Sequence, residues 1–209
     1  MTDPRPAVAA TLLALLAGCA TTSVAPDTPQ DRFFAALASH CGKAFAGAMV
    51  SNDALDADMR GAAMVMHVRT CSDSQIAVPF HVRKANGSWD RSRTWLISRT
   101  AEGPNAGLRL KHDHRHEDGK PDAVTFYGGD TAAAGTARAQ DFPVDAESIA
   151  LFRATDRPAS ITNVWRVEVD PAGAPGAAYA YQLSRANRLF RVEFDLTSPV
   201  APPPAPWGW

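Results

Sequence analysis

Three histidines stand at alternate positions in "LRLKHDHRHEDG", residues 108–119: His112, His114 and His116. Imidazole nitrogens bind transition metals, move protons, and donate or accept hydrogen bonds. Such a run can therefore hold a metal, line a ligand cavity, or form the polar end of a β-strand. On an extended chain alternate side chains face one way, so Leu108, Leu110, His112, His114 and His116 share a side. Arg109, Lys111, Asp113, Arg115 and Glu117 take the other side, and their mixed charges make it the natural solvent face. The leucines and histidines are then directed inward.

Spacing limits the metal reading. At about 3.3 Å per residue, His112 and His116 lie roughly 13 Å apart, too far for one ion with ligand bonds near 2 Å. An adjacent pair such as His112 and His114 could serve zinc, provided that another strand brought a third ligand from His67, His81 or Asp130. The His-x-His, Glu, Gly pattern of the cupins is not matched, because Glu117 follows His114 after only two residues.

The next run, "FYGGDT" at 126–131, adds Tyr127 and Asp130 to the candidate ligand-binding residues beside the three histidines. Its glycines do not announce a phosphate loop, since no helical pattern follows to offer its N-terminus. Arg91, Arg93, Trp95 and Arg99 interleave charge with an aromatic, a pattern that suits an anion site or a solvated face with a packed tryptophan. No Gly-x-Ser-x-Gly elbow occurs, and no catalytic residue is nominated. The balance leans away from an enzyme.

The elements that must position these residues follow from periodicity. Beyond Lys43 the hydrophobic period is 2, with strands expected near 43–50, 61–70, 75–83, 93–100, 107–116, 122–128, 136–142, 161–169, 178–184 and 188–196. Turn-forming clusters separate them, and "VDAESIALF" at 144–152 suits a short helix starting at Asp145. About 8–10 short strands with hairpin-length links leave little room for parallel crossovers. The expected fold is all-β, an antiparallel up-and-down barrel or strongly curved β-sandwich, since closure removes exposed edges.

Register in the hairpin after the histidines is open to two settings. Pairing Glu117 with Asp122 would set His114 against Thr125 and put Tyr127 on the histidine side. A one-residue shift would instead bring Val124 and Phe126 there. Burial of those two apolar side chains favours the shift, through a bulge near Gly128-Gly129.

Before the strands, Thr28 suits an N-cap, Pro29 the first helical position and Gly42 a stop, so a helix is expected with Phe33, Phe34, Leu37 and Cys41 on one face. The C-terminal "APPPAPWGW", 201–209, cannot join a ladder at its prolines. It reads as an extended tail, more readily disordered than packed, whose tryptophans could fold back or meet a partner.

Composition fits one soluble globular domain: 209 residues, 45% hydrophobic and 21% charged. Lys plus Arg number 21 against 22 for Asp plus Glu, which gives no footprint for nucleic acid. At the N-terminus, Ala7 to Ala17 form an apolar run too short to span a bilayer, ending in Leu16-Ala17-Gly18-Cys19. This resembles the lipobox of bacterial lipoproteins, with a weak basic region in which Arg5 is offset by Asp3.

The resemblance implies that residues 1–18 are a signal peptide and that Cys19 is acylated, becoming the first mature residue. Residues 19–29 would form a tether, 30–200 one β-rich domain and 201–209 the Pro/Trp tail. Residue Ala20 is not the aspartate that marks inner-membrane retention, so the cell envelope is the address and the outer membrane the favoured side. In that oxidising compartment Cys41 and Cys71 form an even pair suited to a disulfide.

The segments "DRSRTWLISRT", "GLRLKHDHRHEDG", "TFYGGDTAA" and "NRLFRVEFDLT" resemble a family of uncharacterised bacterial secreted proteins and lipoproteins, over about residues 31–200. That family carries no established activity, so the resemblance implies a single unit and no catalytic role. The leading expectation is a non-enzymatic lipoprotein binding a small-molecule or lipid ligand. The alternatives are a metal-binding protein or metal-dependent enzyme using two of the three histidines, and a structural or assembly factor of the envelope.

Overall fold

The computed structural model describes residues 28–100 and 107–209. The signal segment, Cys19 and the tether through residue 27 lie outside the described residues. The first element is helix α1, Pro29–Ala38. Thr28 caps it, its hydroxyl accepting from the Asp31 N–H at 3.1 Å while the Asp31 carboxylate faces back to the Thr28 backbone. Those contacts satisfy donors that a helix start leaves orphaned. The helix thus begins inside the segment assigned to the tether. Phe33, Phe34 and Leu37 are buried on one face, and Cys41 just beyond it is bonded to Cys71. The bridge closes a 30-residue separation, which constrains the unfolded chain by roughly 3–4 kcal/mol.

Eleven strands follow among the described residues: β1 Ala44–Met49, β2 Met64–His67, β3 Thr70–Cys71, β4 Gln75–Arg83, β5 Trp89–Arg99, β6 Leu108–His114, β7 Tyr127–Asp130, β8 Ala139–Pro143, β9 Val164–Val169, β10 Ala178–Arg185 and β11 Arg188–Val200. A second helix, α2, spans Ala146–Ala154 with Asp145 as its N-cap. The strand order is β7-β6-β5-β4-β2-β1-β11-β10-β9-β8, with β3 on β4, and all pairings are antiparallel. The result is the expected all-β fold, as a nearly closed barrel.

Edge strands β7 and β8 meet at a seam rather than a full ladder. The Asp145 N–H donates to the Gly128 carbonyl at 3.0 Å, and the Gly128 N–H donates to Ser148 Oγ at 2.7 Å. Both glycines are required by distance: a Cβ on Gly128 would stand 1.8 Å from the Leu110 oxygen, and one on Gly129 1.8 Å from the Pro143 oxygen. Pro143 ends an edge strand, where its missing N–H costs no ladder bond. Lys111 pins α2 to the seam, with Nζ 2.9 Å from Asp145 and 2.8 Å from Glu147.

The interior follows the period-2 pattern. Ile76, Val78 and Phe80 of β4, Trp95 and Ile97 of β5, Leu108 and Leu110 of β6, and Val167 and Val169 of β9 are buried together. Each large side chain so buried contributes about 1.5–3 kcal/mol. Aromatic rings fill the centre: Trp95 stacks on Phe80 at 4.9 Å and on Tyr181 at 4.3 Å. Helix α1 lies at the end where β1 and β4 begin and β5 ends, so that end is plugged by Phe33, Phe34 and Leu37.

Three expectations need correction. The hairpin after the histidines takes the unshifted register, His112 opposite Tyr127, and strand β7 is only four residues long. Tyr127 claims the inward position by stacking on His112, while Phe126 adopts a left-handed backbone (φ 54°) and stays 43% exposed. No bulge is needed, because Gly128 and Gly129 pass the seam without side chains. Secondly, the tail is packed rather than disordered. Arg91 donates to the Ala205 carbonyl at 2.8 Å, the Trp207 N–H to the Arg91 carbonyl at 3.1 Å, and the Trp209 Nε1–H to Asp113 at 2.9 Å. Thirdly, the charged side of β6 is not all solvent face: Asp113 is buried between Trp209 and Arg115.

Candidate functional site

Opposite α1, strands β4, β6, β8 and β10 end and β5, β7, β9 and β11 begin. There the inward side chains change from apolar to polar. On β6 the inward series runs Leu108, Leu110, His112, His114, and on β10 it runs Tyr179, Tyr181, Leu183, Arg185. Two adjoining hollows open at this end, of about 170 Å³ and about 320 Å³. His114, Tyr127, Tyr181 and Leu183 form their shared wall.

His112 is buried beneath this wall. Its Nδ1 lies 3.0 Å from the Tyr127 carbonyl and its Nε2 2.8 Å from the Tyr181 hydroxyl. A carbonyl only accepts, so Nδ1 carries the proton and donates to it; Nε2 then accepts from the Tyr181 O–H. Burial pushes the His112 pKa down to about 3, which holds the ring neutral. The ring also lies 5.1 Å from that of Trp165. Burial likewise raises the Tyr127 and Tyr181 hydroxyls above their ordinary range.

His114 lines both hollows, and burial, aided by the charge of Arg93, lowers its pKa. Its backbone N–H donates to Thr125 Oγ1 at 2.8 Å, which fixes the strand end. The smaller hollow is walled by Met59, Phe80, Trp95 and Phe190 and crossed by two arginines with carboxylate partners. Arg188 reaches both carboxylate oxygens of Asp56, and Arg93 makes a single contact with Asp90. The larger hollow carries Arg157, Ser160, Asn163 and Arg185 against the rings of Phe152 and Trp165.

Of the residues nominated from sequence, His112, His114 and Tyr127 come together here. The remaining two do not. His116 is exposed, its Nε2 3.6 Å from Asp122, and lines neither hollow. Asp130 sits at the far end of β7, in an ion pair with Arg109 outside the barrel. Both ring nitrogens of His112 are engaged within the protein, and no group of three or more His, Cys, Asp or Glu placed to hold a metal exists among the described residues. Neither His67 nor His81 supplies the third ligand. His81 points out of the barrel and is fully buried, with neither ring nitrogen hydrogen-bonded among the described residues.

Sequence reasoning missed Tyr181, Leu183, Arg185 and Arg157. For the first three a signal existed: "YAYQLSR" at 179–185 alternates and turns polar at its end, as the histidine strand does. Arg157 lies in a loop after α2, where no local pattern points inward. No family model, curated protein or solved structure matches this chain.

Proposed function

We propose that this protein is a bacterial envelope lipoprotein, held to the membrane through acylated Cys19, whose barrel binds a small-molecule or lipid ligand in its mouth. The observation that carries the reading is the pair of adjoining hollows at one barrel end, aromatic on their walls and polar at their rim. Binding sites characteristically combine such apolar walls with a few convergent polar groups. The other end is filled by α1. Since Cys19 precedes α1 in the chain, the anchor joins the closed end and the mouth is turned away from it.

The metal reading draws no support from His112, whose two nitrogens already have partners. An assembly role through the tail would require Trp207 and Trp209 to leave their own barrel, where the second holds Asp113.

The reading is tested with the full chain carrying Cys19→Ser, titrated with the neutral fluorescent hydrophobe N-phenyl-1-naphthylamine. Saturable binding is expected, and Leu183→Trp, which fills the shared wall, should abolish it without lowering the melting temperature. Binding unchanged in that variant would overturn the assignment of the mouth. The anchor is tested separately by palmitate incorporation, which Cys19→Ala should remove.

A further inference from the structure

The arginines at the mouth differ in what they face. In the smaller hollow Arg188 and Arg93 are neutralised, by Asp56 and Asp90 respectively. In the larger hollow Arg185 meets, among the described residues, only the neutral carbonyl oxygen of Asn163, at 2.9 Å. Among the described residues the Arg157 guanidinium has no hydrogen-bonded partner at all. The one carboxylate on this wall among the described residues, Asp122, accepts from the Val124 N–H at 2.7 Å and lies beside His116. Arg157 is exposed and Arg185 half-buried, so the two stand at the rim of the larger hollow, where a guanidinium offers a fork of donors that suits a planar anion best.

Hydroxyl groups sharpen the position. The Tyr181 proton is committed to His112, so its oxygen faces the hollows only as an acceptor and would repel an anion. The Tyr127 hydroxyl makes no hydrogen bond among the described residues and is free to donate, as is Ser160 on the same wall. The larger hollow is therefore lined by the donors of Arg157, Arg185, Tyr127 and Ser160, with Tyr181 contributing an acceptor on the shared wall. The smaller hollow, at about 170 Å³, has room for one ring-sized apolar group, since a cavity of roughly 150 Å³ holds benzene.

Resting on the reading of the mouth as a binding site, we infer that its ligand is a small carboxylic acid with a ring-sized apolar body. The carboxylate is held by Arg157 and Arg185 in the larger hollow. The body lies against Trp95 and Phe190 in the smaller one, and the shared wall at His114 and Leu183 spans the joint.

The test compares three probes on the full chain carrying Cys19→Ser: 3-phenylpropionate, its neutral primary amide, and the cation 3-phenylpropylamine, by calorimetric titration. The acid should bind at least about tenfold more tightly than the amide, a preference that shrinks as salt rises. The Arg157→Gln, Arg185→Gln double variant should erase the preference, so that acid and amide bind it with equal affinity; a preference retained in that variant would overturn the inference. In the parent chain, equal binding of acid and amide, or preference for the amine, would overturn the inference and leave a binding mouth of other specificity. Absence of binding by all three probes together with N-phenyl-1-naphthylamine would overturn the mouth itself.

Discussion

Tyr181 on β10 donates its hydroxyl proton to His112 Nε2 on β6 at 2.8 Å, across the barrel interior and 69 residues of sequence. The Tyr127 carbonyl sets the histidine tautomer, and that tautomer makes the Tyr181 hydroxyl the donor, which fixes the polarity of the mouth wall. Tyr181→Phe keeps the ring's packing on Trp95 and leaves Nε2 of a buried imidazole without a donor. The variant should lose about 1–3 kcal/mol in urea unfolding, with an unchanged m-value. A loss within error would show that water replaces the hydroxyl.

Stability should fall on acidification in a definite window. Burial lowers the pKa of His81 to about 4 and of His112 to about 3, whereas an unfolded histidine titrates near 6.5. Between about pH 6.5 and pH 4 the unfolded chain therefore binds protons that the folded chain refuses. Stability rises with pH through this window and is insensitive to both groups above it. His81 alone accounts for about 3 kcal/mol across the window. Unfolding midpoints at pH 7.5, 6 and 5 check this, and His81→Leu should flatten the slope; an unchanged slope would contradict it.

The tail should be a structural part of the barrel. Trp209→Phe keeps an aromatic ring but removes the N–H that Asp113 accepts, at a cost of about 1.5–3 kcal/mol. Carboxypeptidase should trim the variant faster than the parent chain. Equal trimming rates would argue that the Trp209 bond contributes nothing to holding the tail.

At the seam, Gly129→Ala places a methyl 1.8 Å from the Pro143 oxygen, a clash between two backbones that no rotamer change relieves. We expect a loss of at least about 3 kcal/mol and faster amide exchange at the Asp145 N–H, which bonds Gly128. Wild-type stability in this variant would show that β7 and β8 move apart freely.

Much of the architecture was legible because its signals are local. Thr28, Pro29 and Asp31 specify the start of α1, Asp145 the start of α2, and the alternation of "LRLKH" sends Leu108, Leu110 and His112 inward. The register after the histidines was misread for a physical reason. Apolar character argued for burying Phe126, yet Tyr127 gained more by stacking on His112, and one left-handed residue let the chain exchange them. The tail was misread because proline's lack of an N–H excludes a ladder but not side-chain and carbonyl contacts, which Arg91 and Asp113 provide. Asp130 failed as a site residue because β7, though adjacent to the histidines, runs away from the mouth toward Arg109.

By itself the sequence determined an antiparallel β fold, the two helix starts and the inward side of the histidine strand, since capping and a period of 2 act within a few residues. It also held the cysteine pair that the fold joins. Tertiary structure alone decided which strands share the mouth. Tyr181 reaches His112, and Arg157 and Arg185 reach the wall opposite, only because closing the sheet brings β9 and β10 round to face β6. Closure depends on the summed twist and register of the whole barrel, a property that no single segment carries.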